Sequence, residues 1–367
     1  MSKAVITEYQ PSITEWFAAI GEITESAEFR KEDNMKTDRL EHLYETIGLP
    51  YERPEILPAR ELTDLSLRFQ KILKEQGEKL CAIRLVPLDT NLPKLRLRGL
   101  SLKECYETWY RAQHIDPDAY TAYICPHSDN VMWSTIFLIT PTLAFGEIIR
   151  GTHSQLTHGD TKETLIQFQY DYQTYTLSPD DRDARQLAEA ALSLLKVADT
   201  STQRTLKTRL NASFSHDYLN GYFEAVVWPD GKIYFADFNR ILPRYIPAPI
   251  TRGSKKVSAI QYILSGTPAS PGTAVGVVRV VHQSEVTTAE FSEGDILVCT
   301  NTDVRYLPLM KRAGAIVTDL GGILSHASLI SRELNVPCIV NTKKATQLLH
   351  PGQRVIVDAS SGLVMKT

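Results

Sequence analysis

The sequence predicts a mixed α/β (α+β) protein built in two parts. Three observations carry this. Short β-branched runs alternate with helical patterns through the C-terminal third. A clear hairpin signal closes the N-terminal part. Between them lies RYIPAPITRGSKK, Arg244 to Lys256, a polar, proline-interrupted stretch that cannot build a core. The division is residues 1–245 as an N-terminal domain, 246–265 as a linker and 266–367 as a C-terminal domain.

In chain order, Asp38 to Ile47 and Glu61 to Gln76 read as helices, KLCAIRLVP as a strand and SLKECYETWYRA as a helix. Residues Ala119 to Ile149 read as successive strands, and DDRDARQLAEAALSLLKVA as a strongly amphipathic helix. GYFEAVVWPDGKIYFADFNR reads as a β-hairpin turning at Pro229-Asp230-Gly231. VSAIQYILSG follows the seam as a helical or irregular connector. Val275 to Val281, DILVC, GAIVT, PCIVN and RVIVDA then read as strands, with TDVRYLPLMKRA and SHASLISRELN as the helices between them.

Composition excludes several classes. The hydrophobic fraction is 43% and the charged fraction 23%, ordinary for a globular protein, and the net charge of −3 leaves no footprint for nucleic acid or an anionic membrane. The longest apolar stretch, Val131 to Phe145, is broken by Ser134, Thr135, Thr140, Pro141 and Thr142, too short to span a bilayer. The N-terminus has no uninterrupted apolar core of a signal peptide. Five cysteines without a CxxC pair argue for buried thiols in a reducing compartment. A cytoplasmic protein is expected. His114, His127, His153 and His158 lack metal-ligand spacing and read as surface or core residues.

The most informative segment is TDLGGILSHASLISRELNVPCIV, Thr318 to Val340. A strand ends in a glycine turn, Gly321-Gly322, and a helix starts near Ser325 or His326. Ser325 suits the N-cap. His326 then stands at the positive end of a helix dipole, which favours a neutral imidazole and stabilises an anion bonded to it. That is the setting a histidine needs to attack phosphorus. Arg332 lies on the same helix as a further charge for a phosphate.

GGILSHASLISRELNVP, ASPGTAVG (Ala269 to Gly276) and TDVRYLPLMKRAGAIVTD together resemble the phosphohistidine domain of the phosphoenolpyruvate-utilising enzymes, over about Gly266 to Thr367. The Leu324-Ser325 pair is similar to the rifampin phosphotransferase branch of that family. The resemblance implies a compact β/β/α swivelling domain with His326 phosphorylated. In the family an ATP-grasp domain, two-lobed and nucleotide-binding, precedes it. The chain offers matches in that order. On the hairpin, Glu224 precedes Asp237 and Asn239, two apart on one face, as oxygen ligands suited to Mg²⁺. Lys36 ahead of Gly48-Leu49-Pro50, Arg84 in Cys81-Ala-Ile-Arg84, and Arg150 in GEIIRG resemble the family's cationic residues at the nucleotide phosphates.

The resemblance thus implies a dikinase-type phosphotransferase. ATP with Mg²⁺ would phosphorylate His326, AMP and phosphate would leave, and the phosphoryl group would pass to an acceptor, a hydroxyl compound or one bound on a partner subunit. The chain offers no room for the family's acceptor domain between Arg240 and Gly266. A second reading comes from Asn34-Met35 and Leu85-Val86, where the family carries glycines and serines: a non-catalytic or regulatory nucleotide-binding subunit, its histidine charged by another protein.

Overall fold

The structure, a computed structural model, describes residues 23–89, 92–127, 130–159, 161, 163–246 and 262–367. Helices and sheets are mixed throughout, as the sequence predicts.

Helices α1 (Ile23–Asn34) and α2 (Lys36–Ile47) open the described chain. Gly48 ends α2 in the left-handed region, φ +71°, where its N–H donates to the Tyr44 carbonyl and the next N–H, of Leu49, to that of Leu43. A first lobe follows: β1 (Glu55–Pro58), α3 (Ala59–Thr63), α4 (Leu67–Gln76), β2 (Leu80–Pro87), β3 (Leu95–Ser101) and β4 (Tyr120–Pro126), antiparallel in the order β1-β4-β2-β3. Its core joins Leu57, Phe69, Ile83, Leu97 and Tyr106. The helix expected over 61–76 is two helices. Leu65 turns to φ +48°, and Ser66 accepts the Phe69 N–H as a fresh N-cap.

The second lobe is a six-stranded antiparallel sheet. Its strands are β5 (Trp133–Ile139), β6 (Ala144–Arg150), β7 (Ile166–Tyr170), β8 (Tyr175–Ser178), β9 (Gly221–Val227) and β10 (Ile233–Asn239), ordered β10-β9-β5-β6-β7-β8. Every residue of β5 is buried, because both faces are covered. One face carries Phe137, Phe168, Phe223 and Phe235 against helix α6 (Arg182–Ser193). Ala184, Leu187, Ala188, Ala191 and Leu192 form the apolar stripe of α6, and Asp181 caps it. The other face carries Ile136, Leu138, Phe145, Ile149 and Tyr222. Helix α5 (His153–His158) lies between α6 and β6 in sequence, and α7 (Thr200–Leu210) follows α6.

The C-terminal domain holds one mixed sheet: β11 (Tyr262–Ser265), β12 (Thr267–Ser270), β13 (Thr273–Val280), β14 (Ile296–Cys299), β15 (Ala315–Thr318), β16 (Cys338–Val340), β17 (Arg354–Asp358) and β18 (Leu363–Lys366). The order is β11-β18-β17-β13-β14-β15-β16-β12, with β13 to β16 parallel. Helix α8 (His326–Glu333) follows β15. The linker expected over 246–265 is shorter at its C-terminal end. Tyr262–Ser265 pairs antiparallel with β18, and Leu264 buries into the core. Residues 247–261 of that expectation lie outside the described residues.

The two domains share one apolar cluster. Ile323, Leu324 and Leu329 of the C-terminal domain pack with Ile136, Ile149, Leu156 and Tyr222 of the second lobe. Helix α5 touches both β9 and α8. All five cysteines are free and buried. Among the described residues no helix is long and apolar enough to cross a membrane.

Candidate active site

The hairpin supplies the first half of the site. Glu224 on β9 pairs in register with Asp237 on β10, and Tyr222 with Asn239. A β-bulge between Glu224 and Ala225 keeps Asp237 on the Glu224 face while turning Phe235 into the core behind. Both carboxylates are largely buried. Tyr222 donates to Glu224 Oε1 at 2.6 Å, and His153 Nε2 lies 2.9 Å from Oε2. Burial opposes ionisation of Glu224, but its contact with His153 and the Tyr222 hydrogen bond hold it well below the usual carboxylate range. Asp237 moves the other way: burial and the Glu224 charge push it up, against the pull of Lys36. Two adjacent buried carboxylates cannot both ionise freely without a compensating cation.

Lys36, the first residue of α2, reaches Asp237 Oδ2 at 3.2 Å. Asp237 Oδ1 is buried without a hydrogen-bond partner. An orphaned carboxylate oxygen beside a second carboxylate fits a divalent cation with oxygen ligands. Asn239 shares the face, but its Oδ1 accepts the N–H groups of Ile241 (2.8 Å) and Leu242 (2.9 Å), which fills its two lone pairs. Among the described residues no group of three or more His, Cys, Asp and Glu is arranged to hold a metal ion.

A narrow cleft of about 30 Å³ adjoins Lys36, lined also by Tyr51, Glu52, Arg84 and Cys125. Arg84 thus comes from β2 of the first lobe to the same place as Lys36. Around them, Asp33 pairs with Lys94 at 2.7 Å. Burial raises the Asp33 carboxyl, but Lys94, Lys36 and Arg84 together bring it down to about 2. Glu52 accepts Trp228 Nε1–H at 3.0 Å and is raised by burial.

The second half is the loop between β15 and α8. Gly321 adopts φ +105°, closed to other residues without strain. Ser325 stands at the N-cap position but does not cap with its side chain; its hydroxyl, like that of Ser328, donates to the Gly322 carbonyl, at 2.8 and 2.6 Å. Half-buried His326 begins α8, so the dipole argument applies to it. Arg332 turns back, donating Nε–H to the Ala269 carbonyl at 2.6 Å, and burial pushes it down to about 10.

Comparison with known proteins bears on this half. Residues 291–362 match the family described as PEP-utilising enzyme, mobile domain, a stretch that contains His326. The C-terminal domain is thus similar to the mobile domain of PEP-utilising enzymes. Similar relatives include a probable phosphoenolpyruvate synthase of Staphylothermus marinus, 48% identical over 110 residues, covering 30% of this chain and 13% of the relative. The phosphoenolpyruvate synthase of Pyrococcus furiosus is 44% identical over 138 residues, covering 37% and 16%. The prodigiosin synthesizing transferase PigC of Serratia marcescens is 42% identical over 103 residues, covering 28% and 12%. The matches therefore span less than a fifth of those relatives' length. The solved structure of D-cycloserine synthetase DcsG aligns with 56% of this chain and 61% of its own at 13% identity and a TM-score of 0.30, too slight a likeness to argue from.

In this chain Lys36 and Arg84 line one cleft, and Lys36 joins it to the paired carboxylates of Asp237 and Glu224. Arg150 is not among them. It pairs with Trp133 in register, on the sheet face opposite Glu224, where its guanidinium stacks over that ring at 4.0 Å and binds Asp183 at 3.1 Å. Sequence reasoning missed His153, set aside for want of spacing; its partner Glu224 is far away in sequence. It also missed Glu32, Asp33, Arg39 and Lys94. Arg39, 2% exposed, donates to the Phe238 carbonyl (3.0 Å) and the Glu32 carbonyl (2.6 Å), clamping α2 to the hairpin. Glu147, a glycine's neighbour in GEIIRG, drew no attention either. The side chain of His158 lies outside what is described.

Proposed function

We propose that the chain is an ATP-dependent, dikinase-type phosphotransferase. The N-terminal domain acts as an ATP-grasp-like nucleotide site, and His326 carries the phosphoryl group. The observation that supports this reading best is the docking of the His326 loop on the sheet face that bears Glu224 and Asp237, with α5 touching both.

In this reading ATP lies between the lobes, its phosphates facing Lys36 and Arg84. Mg²⁺, held by Glu224 and Asp237, would neutralise phosphate charge. A neutral ring nitrogen of His326 attacks the β-phosphorus, forming a P–N bond as the bond to AMP breaks. Water takes the γ-phosphoryl group, so ATP, water and His326 give AMP, inorganic phosphate and phosphohistidine. Gly321 and the Ser325–Ser328 pair hold the loop so that the α8 amides face the new anion. The acceptor is a hydroxyl compound or a group bound on a partner subunit in the cytoplasm.

The cleft of about 30 Å³ is well below the roughly 300 Å³ of small ligand sites, so the lobes must part to admit a nucleotide. That same closure favours the second reading, a nucleotide-sensing carrier charged by another protein. Incubation with β-labelled ATP separates the two. Label on His326, absent from His326→Ala, with AMP released, supports the phosphotransferase. ATP–Mg²⁺ binding without label supports the carrier.

A further inference from the structure

Glu147 sits on β6 and is 1% exposed. Ile136 is its register partner and also that of Glu224, so the two carboxylates share a sheet face. Yet Glu147 does not face the nucleotide cleft. Its partners belong to the histidine loop of the other domain. Ile323 N–H donates to Oε1 at 2.7 Å and Leu324 N–H to Oε2 at 3.3 Å. Gln167, on the neighbouring strand, donates to Oε1 at 3.2 Å and steadies the carboxylate from its own side.

The glycines repeat the message. Gly321 needs its positive φ, but Gly322 has none. A Cβ at Gly322 would stand 2.1 to 2.5 Å from the Glu147 carboxylate and meets nothing nearer. The second glycine of the pair is thus required by the opposite domain, not by its own turn. Gly159, just after α5, likewise lies against Gly321: a Cβ there would be 2.7 Å from the Gly321 Cα.

We infer that Glu147 is a docking latch, a positioning residue through which the N-terminal domain grips the backbone of the histidine loop and sets where His326 stands. The apolar contacts of Ile323, Leu324 and Leu329 supply attraction without direction. Two hydrogen bonds from consecutive amides to one carboxylate supply direction and register, because their strength falls steeply with angle. The grip is on backbone two and three residues before His326, so it orients the histidine without touching its ring. When the domain swings away, both amides are released to water, and so is the carboxylate. The latch is therefore reversible, as a carrier that serves two sites requires.

Hydrogen exchange of the full chain tests this, read on the amides of Ile323 and Leu324. Glu147→Ala and Gly322→Ala should each speed exchange there by about tenfold or more, the worth of a hydrogen bond to a charged group. Amides of β13 to β17 should keep their protection. The double variant should exchange no faster than either single one, because both act on the same contact. Glu147→Gln keeps an acceptor for Ile323 but sets an NH₂ against Leu324, and should fall between. Unchanged exchange in Glu147→Ala, additive effects in the double variant, or loss of protection across β13 to β17 in Gly322→Ala and Glu147→Gln would each overturn the latch. The kinetic arm rests on the proposed phosphotransfer: labelling of His326 from ATP should slow in Glu147→Ala at an unchanged KM for ATP. If the wild-type chain takes no label at all, that reading fails while the exchange arm still decides the latch.

Discussion

Removing Glu32 should unseat the helix that carries Lys36. Glu32 and Arg39 are each 2% exposed, and Arg39 Nη1 lies 3.4 Å from Glu32 Oε2. Glu32 also receives the backbone N–H of Arg240 at 2.9 Å and its Nε–H at 3.0 Å. Burial raises the Glu32 carboxyl, but the Arg240 hydrogen bond and the Arg39 charge outweigh it and hold it below its usual range. Burial pulls Arg39 down, yet a guanidinium stays charged at neutral pH, so the pair is ionic. Glu32→Ala therefore leaves a buried cation without its counter-charge, at a cost of about 3–5 kcal/mol. At a urea slope of about 3 kcal/mol per molar, the midpoint should fall by roughly 1–2 M. Circular dichroism of the urea transition at pH 7 reads this. The pair Glu32→Leu/Arg39→Met should recover only part of the loss, since it removes the stranded Arg39 guanidinium but still deprives Arg240 of its carboxylate partner. A loss below about 1 kcal/mol in Glu32→Ala would refute the reasoning.

Three further outcomes follow. The Asp33 carboxyl, held at about 2 against an ordinary 3.8, contributes stability that is present above pH 4 and lost as pH falls towards 2. The shift is worth about 2 kcal/mol, so Asp33→Asn should be less stable than wild type at pH 6 and nearly equal to it at pH 2 by thermal melting. Gly321→Ala forces a side chain into φ +105° and should cost about 1–3 kcal/mol, read by the melting of the C-terminal domain. Lys36→Met removes the cation from Asp237 and from the proposed phosphate position. It should slow labelling of His326 from ATP at least about tenfold, the worth of one charge-assisted hydrogen bond, with His326 still accessible to chemical phosphorylation.

What could be read from the sequence divides along physical lines. The histidine loop was legible because its parts are local: a strand, a glycine turn and a helix start lie within a few residues, and Gly321 and His326 are where that pattern puts them. The hairpin was legible for the same reason: two-residue periodicity put Asp237 and Asn239 on one face, and the register of the hairpin sets Glu224 opposite Asp237. Lys36 and Arg84 came from the resemblance, and the fold carries both to one cleft. Arg150 failed to join them because alternation along β6 turns it to the opposite face, beside Trp133. The helix over 61–76 broke because Ser66 caps a new start, a signal present in the sequence but outweighed by its apolar period. The bonds of Glu147 to Ile323, His153 to Glu224 and Glu32 to Arg240 span about 70 to more than 200 residues of chain, and no local pattern announces them. Even Gly322, obvious as half of a glycine pair, owes its identity to a carboxylate on the other domain.

The most direct test of the account is transfer of the β-phosphoryl group of ATP to His326. The chain is incubated with β-labelled ATP and Mg²⁺, and the labelled residue is located by peptide mapping under alkaline conditions. The account predicts acid-labile label on His326, release of AMP, and loss of both in His326→Ala and Asp237→Asn. Tight ATP binding with no label on His326, or label that persists in His326→Ala, would contradict it.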